Sequence, residues 1–413
     1  RAGVPADVVR GLIPVKDGLA ALAVAALLLR RRPDGQVAWR ADRAVVAPLL
    51  LGLGVLGLRT VIDTVGAGAS VSMVFAVRAM LDPLLGLALG LLLVGEERRR
   101  MLRLVGTFVT VGAGLALVEY VLPARWWLTD VLGVGPFWTQ VKQLGFFLWD
   151  FPGVGPLPGN FYTGLLGEGV RRLSGPFGEP LGAGYLLGIG AVAVAWTTTG
   201  RRRWGQLALV LVALLLTFTR AGWIIAAAGI APLVVSWIWV RPVRQRWTAI
   251  AGIAVAGTAA LVAVAPLRRY LLSVVDGSNG STAAHLEALE ALDQHPYTPL
   301  GDGLGQIGSI VDAGTESTLA TLVLQLGLVL GVLYVIATLW LLWVARRSWT
   351  SPVPRWSYVL LLLALGLSWF TSEQWMTFNS GLTFAVVLGA GVSATVVPTR
   401  PAVPEPQEAT AAP

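Results

Sequence analysis

Four arginines, Arg172, Arg220, Arg268 and Arg269, stand where the bias of basic charge along the chain does not account for them. A guanidinium forms forked, charge-assisted hydrogen bonds that match phosphate oxygens. Arg220 closes the apolar run Leu214-Leu-Leu-Thr217-Phe-Thr219 and opens another, so it sits at an apolar–polar boundary. A cation facing a cavity there suits a phosphate or diphosphate at headgroup depth. The alternative is a residue that ends a helix and snorkels to lipid phosphate. Arg172 opens Arg172-Leu-Ser-Gly175-Pro-Phe177-Gly-Glu-Pro180, where Gly and Pro mark a tight turn ahead of an apolar run. Its alternative is a plain surface arginine on that turn.

Two further groups could move a proton. His285 falls in a short amphipathic helix predicted over 282–294, capped by Ser281, with Leu286, Leu289 and Leu292 on one face. A neutral imidazole there can accept a proton from a hydroxyl or donate to a phosphate oxygen, or simply sit on a surface helix. Glu316-Ser317 opens the next apolar run; its carboxylate caps that helix, orients His285 or holds an acceptor hydroxyl. Between them runs His295-Pro296-Tyr-Thr-Pro-Leu-Gly301-Asp-Gly303-Leu-Gly305, whose alternate glycines permit close backbone approach. No strand precedes these glycines, so a nucleotide fold is not supported. Asn279-Gly-Ser281 matches a glycosylation sequon and is read as chance. Arg59 with Asp63, and Arg78 with Asp82, stand four apart, each on one helix face. An ion pair inside an apolar segment is costly and is therefore a candidate for function. Arg59–Asp63 is read as structural; for Arg78 both readings stand, as a secondary site residue beside Arg268 and Arg269. The chain has no Cys and only two His, and no Asp-x-Asp pair, so neither a metal site nor a cofactor is expected.

The elements that position these groups follow from composition. Apolar residues make up 55% of the 413, charged residues 13%, and mean hydropathy is +0.71. That is too little charge to cover a water-facing surface, and lipid is the solvent that fits. The expected fold class is all-α, a polytopic integral membrane protein. Spans are predicted near 12–30, 44–62, 68–94, 101–121, 180–199, 204–219, 221–240, 247–266, 318–345, 357–371 and 379–397, eleven in all. They form one transmembrane domain over 1–397, followed by a Pro- and Ala-rich cytoplasmic tail, 398–413, expected to be disordered. Of the 31 basic residues, 19 fall in turns on one side, with 6 of the 23 acids, leaving that side near +13 and the rest at −5. Every turn then obeys the positive-inside rule. The net charge of +8 is thus a membrane signature, with no basic stripe for nucleic acid. Two outer loops are long, 122–179 and 267–317. The first is dense in Trp and Phe, which belong at headgroup level, and an interfacial helix is predicted over 136–151.

In their order these features resemble the superfamily of O-antigen ligases and O-antigen polymerases, bacterial membrane glycosyltransferases. Arg172-x-x-Gly175-x-Phe177-x-x-Pro180 resembles its "R-x-x-G-x-F-x-x-P" helix entry. Thr217-Phe-Thr219-Arg220 resembles its "T-x-S-R" junction, with Thr219 for the usual Ser. The loop with His285, Pro296, Gly301-Asp-Gly303-Leu-Gly305 and Glu316-Ser317 ahead of Leu326-Gly327 resembles its large loop. Ligases often carry His-Asn where Thr315-Glu316-Ser317-Thr318 stands here, which looks more like a polymerase variant. The resemblance implies twelve spans, with a first one before Arg1, in a bacterial cytoplasmic membrane with the large loops outside. It implies metal-independent, cofactor-free, inverting transfer from a polyprenyl-diphosphate-linked glycan to a glycan or lipid-linked acceptor. Arg220 and Arg172 would hold the diphosphate, and His285 or Glu316 would position or deprotonate the acceptor hydroxyl. The competing expectations are a lipid or polysaccharide exporter and a scaffold without chemistry.

The orientation has a direct check, helped by the cysteine-free chain. A single cysteine at Ser281 is expected to react with an impermeant maleimide added to intact cells, and one at Thr199 only after permeabilisation. The reverse pattern would invert the topology.

Overall fold

The computed structural model describes residues 6–30, 42–141, 148–163, 170–263, 298–305, 317–350, 352–372, 374–376 and 378–391. The described chain is mostly helical. The main helices are α1 (Ala6–Leu29), α2 (Arg43–Ala67), α3 (Val71–Leu92), α4 (Gly95–Val121), α5 (Pro180–Thr197), α6 (Gly200–Leu216), α7 (Arg220–Trp239), α8 (Val243–Ala263), α9 (Thr318–Ala345), α10 (Pro352–Thr371) and α11 (Thr383–Ala390). Each falls at one of the apolar stretches of the sequence, and among the described residues seven are long and apolar enough to cross a membrane: α2, α3, α4, α5, α7, α9 and α10. Their starts carry recognisable signals. The Ser70 hydroxyl accepts from Met73 N–H at 3.1 Å, the Ser317 hydroxyl accepts from Ala320 N–H at 3.3 Å, and Pro180 takes a first-turn position where no N–H is needed.

Helix α5 is the axis of the bundle and is almost wholly buried. Small residues let its neighbours approach backbone to backbone, because between helices in lipid close van der Waals packing has to do the holding. α7 runs parallel to α5. A Cβ at Gly184 would fall 2.5 Å from the Thr219 hydroxyl, and one at Gly188 would fall 2.5 Å from the Gly222 carbonyl. Further along, the Trp196 indole donates to Gly229 O at 2.9 Å. α4 runs antiparallel on another side of α5, with Gly106 against Val194 and Gly112 against Phe177. α3 and α11 meet through Gly86, Gly90 and Gly389.

α9 is broken. Gly327, nine residues in and about 14 Å from the start at the rise of an α-helix, has φ 77° and ψ 170°. The turn 298–305 fills the break. Asp302 N–H donates to Leu324 O at 2.7 Å, a carbonyl that an unbroken helix would satisfy itself. Val329 N–H donates to Pro299 O at 3.3 Å. The pair expected to be structural holds this turn. Arg59 is 3% exposed and bonds Asp63 at 2.7 Å; it also donates to Leu300 O, while Asp63 accepts from Leu304 N–H at 2.8 Å.

The loop 122–179 departs from the predicted interfacial helix over 136–151. Helical turns cover Arg125–Val131 and Phe137–Val141, but Leu148–Phe151 is a strand paired antiparallel with Gly155–Pro158. Pro152-Gly153 turns the chain back, and Phe151 stacks on Tyr162 at 4.4 Å. A second two-residue ladder joins Tyr162–Thr163 to Val170–Arg171. The mostly helical chain agrees with the all-α expectation, and this loop adds two small two-stranded sheets to it. Not all aromatics go to headgroup level: Trp138 and Phe161 are buried with Leu128, Val134 and Leu157 in a small core of their own, while Trp126 and Trp149 stay exposed.

The Gly188 contact makes a clear prediction. Gly188→Val forces α5 and α7 apart and is expected to cost about 1–3 kcal/mol, in line with overpacked cores. Thermal unfolding in detergent should show a lowered midpoint, and an unchanged one would mean that the two helices do not touch there.

Candidate functional site

The candidate site is built at the junction of α6 and α7. α6 ends at Leu216 and α7 begins at Arg220, as the placement of Arg220 at a boundary predicts. The reversal needs an unusual backbone: Phe218 takes φ 51°, a left-handed conformation that costs a non-glycine residue on the order of 1–3 kcal/mol. Threonines on either side hold it. The Thr217 hydroxyl donates to Leu214 O at 2.7 Å and accepts from Thr219 N–H at 3.2 Å. The Thr219 hydroxyl reaches Pro180 O at 3.1 Å, tying the start of α7 to the start of α5.

Arg172 is bound to this same junction. Its Nε donates to Thr217 O at 2.7 Å and its Nη2 to the Thr219 hydroxyl at 3.0 Å. The backbone follows, with Leu173 N–H on Leu216 O at 2.9 Å and Arg172 N–H on Phe161 O at 2.8 Å. Arg172 therefore packs against the residue that precedes Arg220, and both arginines are half-buried. The N-termini of α5 and α7 lie side by side at this point, and each helix start carries partial positive charge. The Arg172 guanidinium and two helix starts, one of them opened by Arg220, make one electropositive corner.

The turn that delivers Arg172 hangs on a buried carboxylate. Glu119, near the end of α4 and 5% exposed, accepts from the Ser174 hydroxyl and from Gly175 N–H, both at 3.1 Å, and lies 3.5 Å from Arg171 Nη2. Gly175 has φ 57°, and a Cβ there would fall 2.3 Å from that of Ala116, so only glycine lets the turn lie flat on α4. Arg171 also donates to Leu122 O at 2.9 Å, and Tyr120 donates to Arg171 O at 3.2 Å. Burial pushes the Tyr162 phenol above its ordinary value, against the opposing charge of Arg171.

No protein-family model matches this chain, and no curated protein does.

Other expected site residues fall elsewhere. Arg78 forms an ion pair with Asp17 at 2.5 Å and joins α3 to α1, a different helix pair from the Arg172 corner. Asp82 is fully buried one turn further along α3. His285, Glu316, Arg268 and Arg269 lie outside the described residues, as do the helix predicted over 282–294 and the tail 398–413. Ser317, which follows Glu316, donates to Trp369 O at 3.0 Å, and the Thr318 hydroxyl donates to Ser372 O at 2.7 Å. The Tyr185 hydroxyl of α5 lies beside Ser368 and Ser372, so the start of α9 meets the first turns of α5 through the end of α10.

Sequence reasoning passed over three polar residues. Glu119 gave no signal, because one acid near a helix end resembles any other. Glu179 stands inside the Arg172–Pro180 motif as the N-cap of α5, which was the available hint. Glu179 Oε1 and Gln374 Oε1 flank its first turn, 3.3 and 3.5 Å from where a Gly182 Cβ would be, and the Ser380 hydroxyl lies 3.1 Å from Gln374 Oε1.

Glu119→Ala strands the Ser174 hydroxyl, the Gly175 amide and Arg171. Removing one partner of a buried charged network is expected to cost about 3–5 kcal/mol, read as a lower unfolding midpoint in detergent. A midpoint equal to that of the parent would show that Glu119 does not hold the turn.

Proposed function

We propose that the protein is an inverting glycosyltransferase that takes a glycan from a polyprenyl-diphosphate carrier at the outer face of a bacterial cytoplasmic membrane. In this reading the chain crosses the membrane eleven times, with the loop 267–317 outside and the C-terminus inside. The observation that carries it is the binding of Arg172 to the Thr217–Thr219 junction immediately before Arg220, beside two helix starts. A diphosphate leaving group needs positive charge held in place before the bond breaks, because preorganised charge costs no rearrangement at the moment of reaction.

The step balances without a co-reactant. The acceptor hydroxyl oxygen bonds to the anomeric carbon from the face opposite the carrier, and the bond from that carbon to the diphosphate oxygen breaks. The leaving polyprenyl diphosphate keeps the electron pair, and the configuration inverts. The hydroxyl proton passes to a base, His285 or Glu316. Glu179, at the first turn of α5, is suited to hold an acceptor hydroxyl. Polymer extension and transfer to a lipid-linked acceptor share this chemistry.

The break in α9 favours a second reading, an exporter of lipid or polysaccharide, since transporters often bind cargo at interrupted helices. Here the chain's own turn 298–305 occupies the break.

The test is turnover of a purified polyprenyl-diphosphate-linked glycan by reconstituted protein. Arg220→Ala is expected to lower kcat about 100-fold, the effect of losing one preorganised donor, at normal protein level. Arg172→Lys should also lose activity, because an ammonium cannot span Thr217 O and the Thr219 hydroxyl as a fork does. Unchanged turnover in Arg220→Ala rejects the diphosphate clamp. Movement of intact donor across vesicles without transfer would favour the exporter.

A further inference from the structure

The face between α9 and α10 carries a different kind of site. α10 packs mainly on α7, not on its chain neighbour α9, and a groove of about 340 Å³ opens between α9 and α10. It is lined by Leu339, Leu342, Trp343, Leu362, Leu365, Gly366 and Trp369, and its lining is almost wholly apolar. Gly366 gives it depth: a Cβ there would meet no atom within 4 Å. Trp343 is 56% exposed, and the Arg346 guanidinium stacks on its ring at 3.1 Å. Arg347 stands beside it, exposed, and no acidic residue occurs between Glu316 and Glu373.

The turn between α3 and α4 provides the contrast. There Glu96 binds Arg103, and Glu97 binds Arg30 at 2.5 Å, so the basic run answers its own charge. Among the described residues, the ion pairs of that turn have no counterpart at Arg346, whose guanidinium rests on the Trp343 ring instead. A stacked, exposed guanidinium at the mouth of an apolar groove matches a phosphate joined to a hydrocarbon chain.

We infer that this groove is a specific binding site for an anionic diacyl phospholipid, with the phosphate at Arg346 and one acyl chain lying along Gly366. The site is independent of the proposed transfer chemistry. Because Arg346 belongs to a basic turn, the positive-inside rule puts the lipid in the inner leaflet.

The test is native mass spectrometry of the full delipidated chain in detergent, titrated separately with phosphatidylglycerol, phosphatidylcholine, undecaprenyl phosphate and inorganic phosphate. One phosphatidylglycerol is expected to bind at least tenfold more tightly than phosphatidylcholine. Gly366→Phe fills the groove and should weaken phosphatidylglycerol at least tenfold. Arg346→Gln, an exposed change that leaves folding intact, should abolish the preference for the anionic lipid. Inorganic phosphate should not compete. Equal affinity for the two phospholipids overturns the inference, as does tighter binding of undecaprenyl phosphate. Undiminished binding by Gly366→Phe, or full competition by inorganic phosphate, overturns it equally.

Discussion

A backbone amide or carbonyl left without a partner in hydrocarbon costs several kcal/mol, so a chain in lipid must satisfy each one internally. Straight helices do this at no further expense. The informative places are those where a helix stops or breaks, because some other group must then take the bond. Two such places organise this protein. At Gly327 the turn 298–305 supplies an amide to Leu324 O and a carbonyl to Val329 N–H. At Thr217–Arg220 threonine hydroxyls and the Arg172 guanidinium take up the polar groups of the reversal.

The same requirement explains why charge is found inside the bundle. Arg59 and Asp63 neutralise each other and also hold backbone groups of the inserted turn. Glu119 balances Arg171 while accepting from a hydroxyl and an amide. In both cases a buried ion earns its place by fixing a stretch of irregular chain, which is a use of buried charge distinct from net stabilisation. Of the two, Glu119 holds the turn that brings Arg172 to the starts of α5 and α7, and Arg59–Asp63 holds the turn that fills the break in α9.

Glycine sets the scale of the assembly. Gly184, Gly188 and Gly222 bring α5 and α7 within backbone contact, so the two helix starts lie together and their partial charges add. Where glycine is spent on the surface instead, at Gly366, it leaves a groove open to lipid. One residue type thus closes the electropositive corner between α5 and α7 and opens an apolar slot between α9 and α10.

The sequence by itself determined that the chain is helical and suited to lipid, because apolar runs of span length and scarcity of charge are properties of composition and order. It also located the reversal at Arg220 and the pairing of Arg59 with Asp63, since an arginine between two apolar runs and a spacing of four along a helix are local facts. The tertiary structure alone decided that Arg172 joins the Arg220 junction, that Glu119 holds the turn bearing it, and that Arg78 reaches Asp17. Those contacts cross between segments 45 or more residues apart, and no local periodicity encodes which helix faces which. The strand at the end of the stretch expected to be helical, 136–151, has the same origin: Leu148–Phe151 takes its conformation from pairing with Gly155–Pro158 and from packing on Tyr162. Strand or helix is there a choice made by the partner, which the local sequence does not contain.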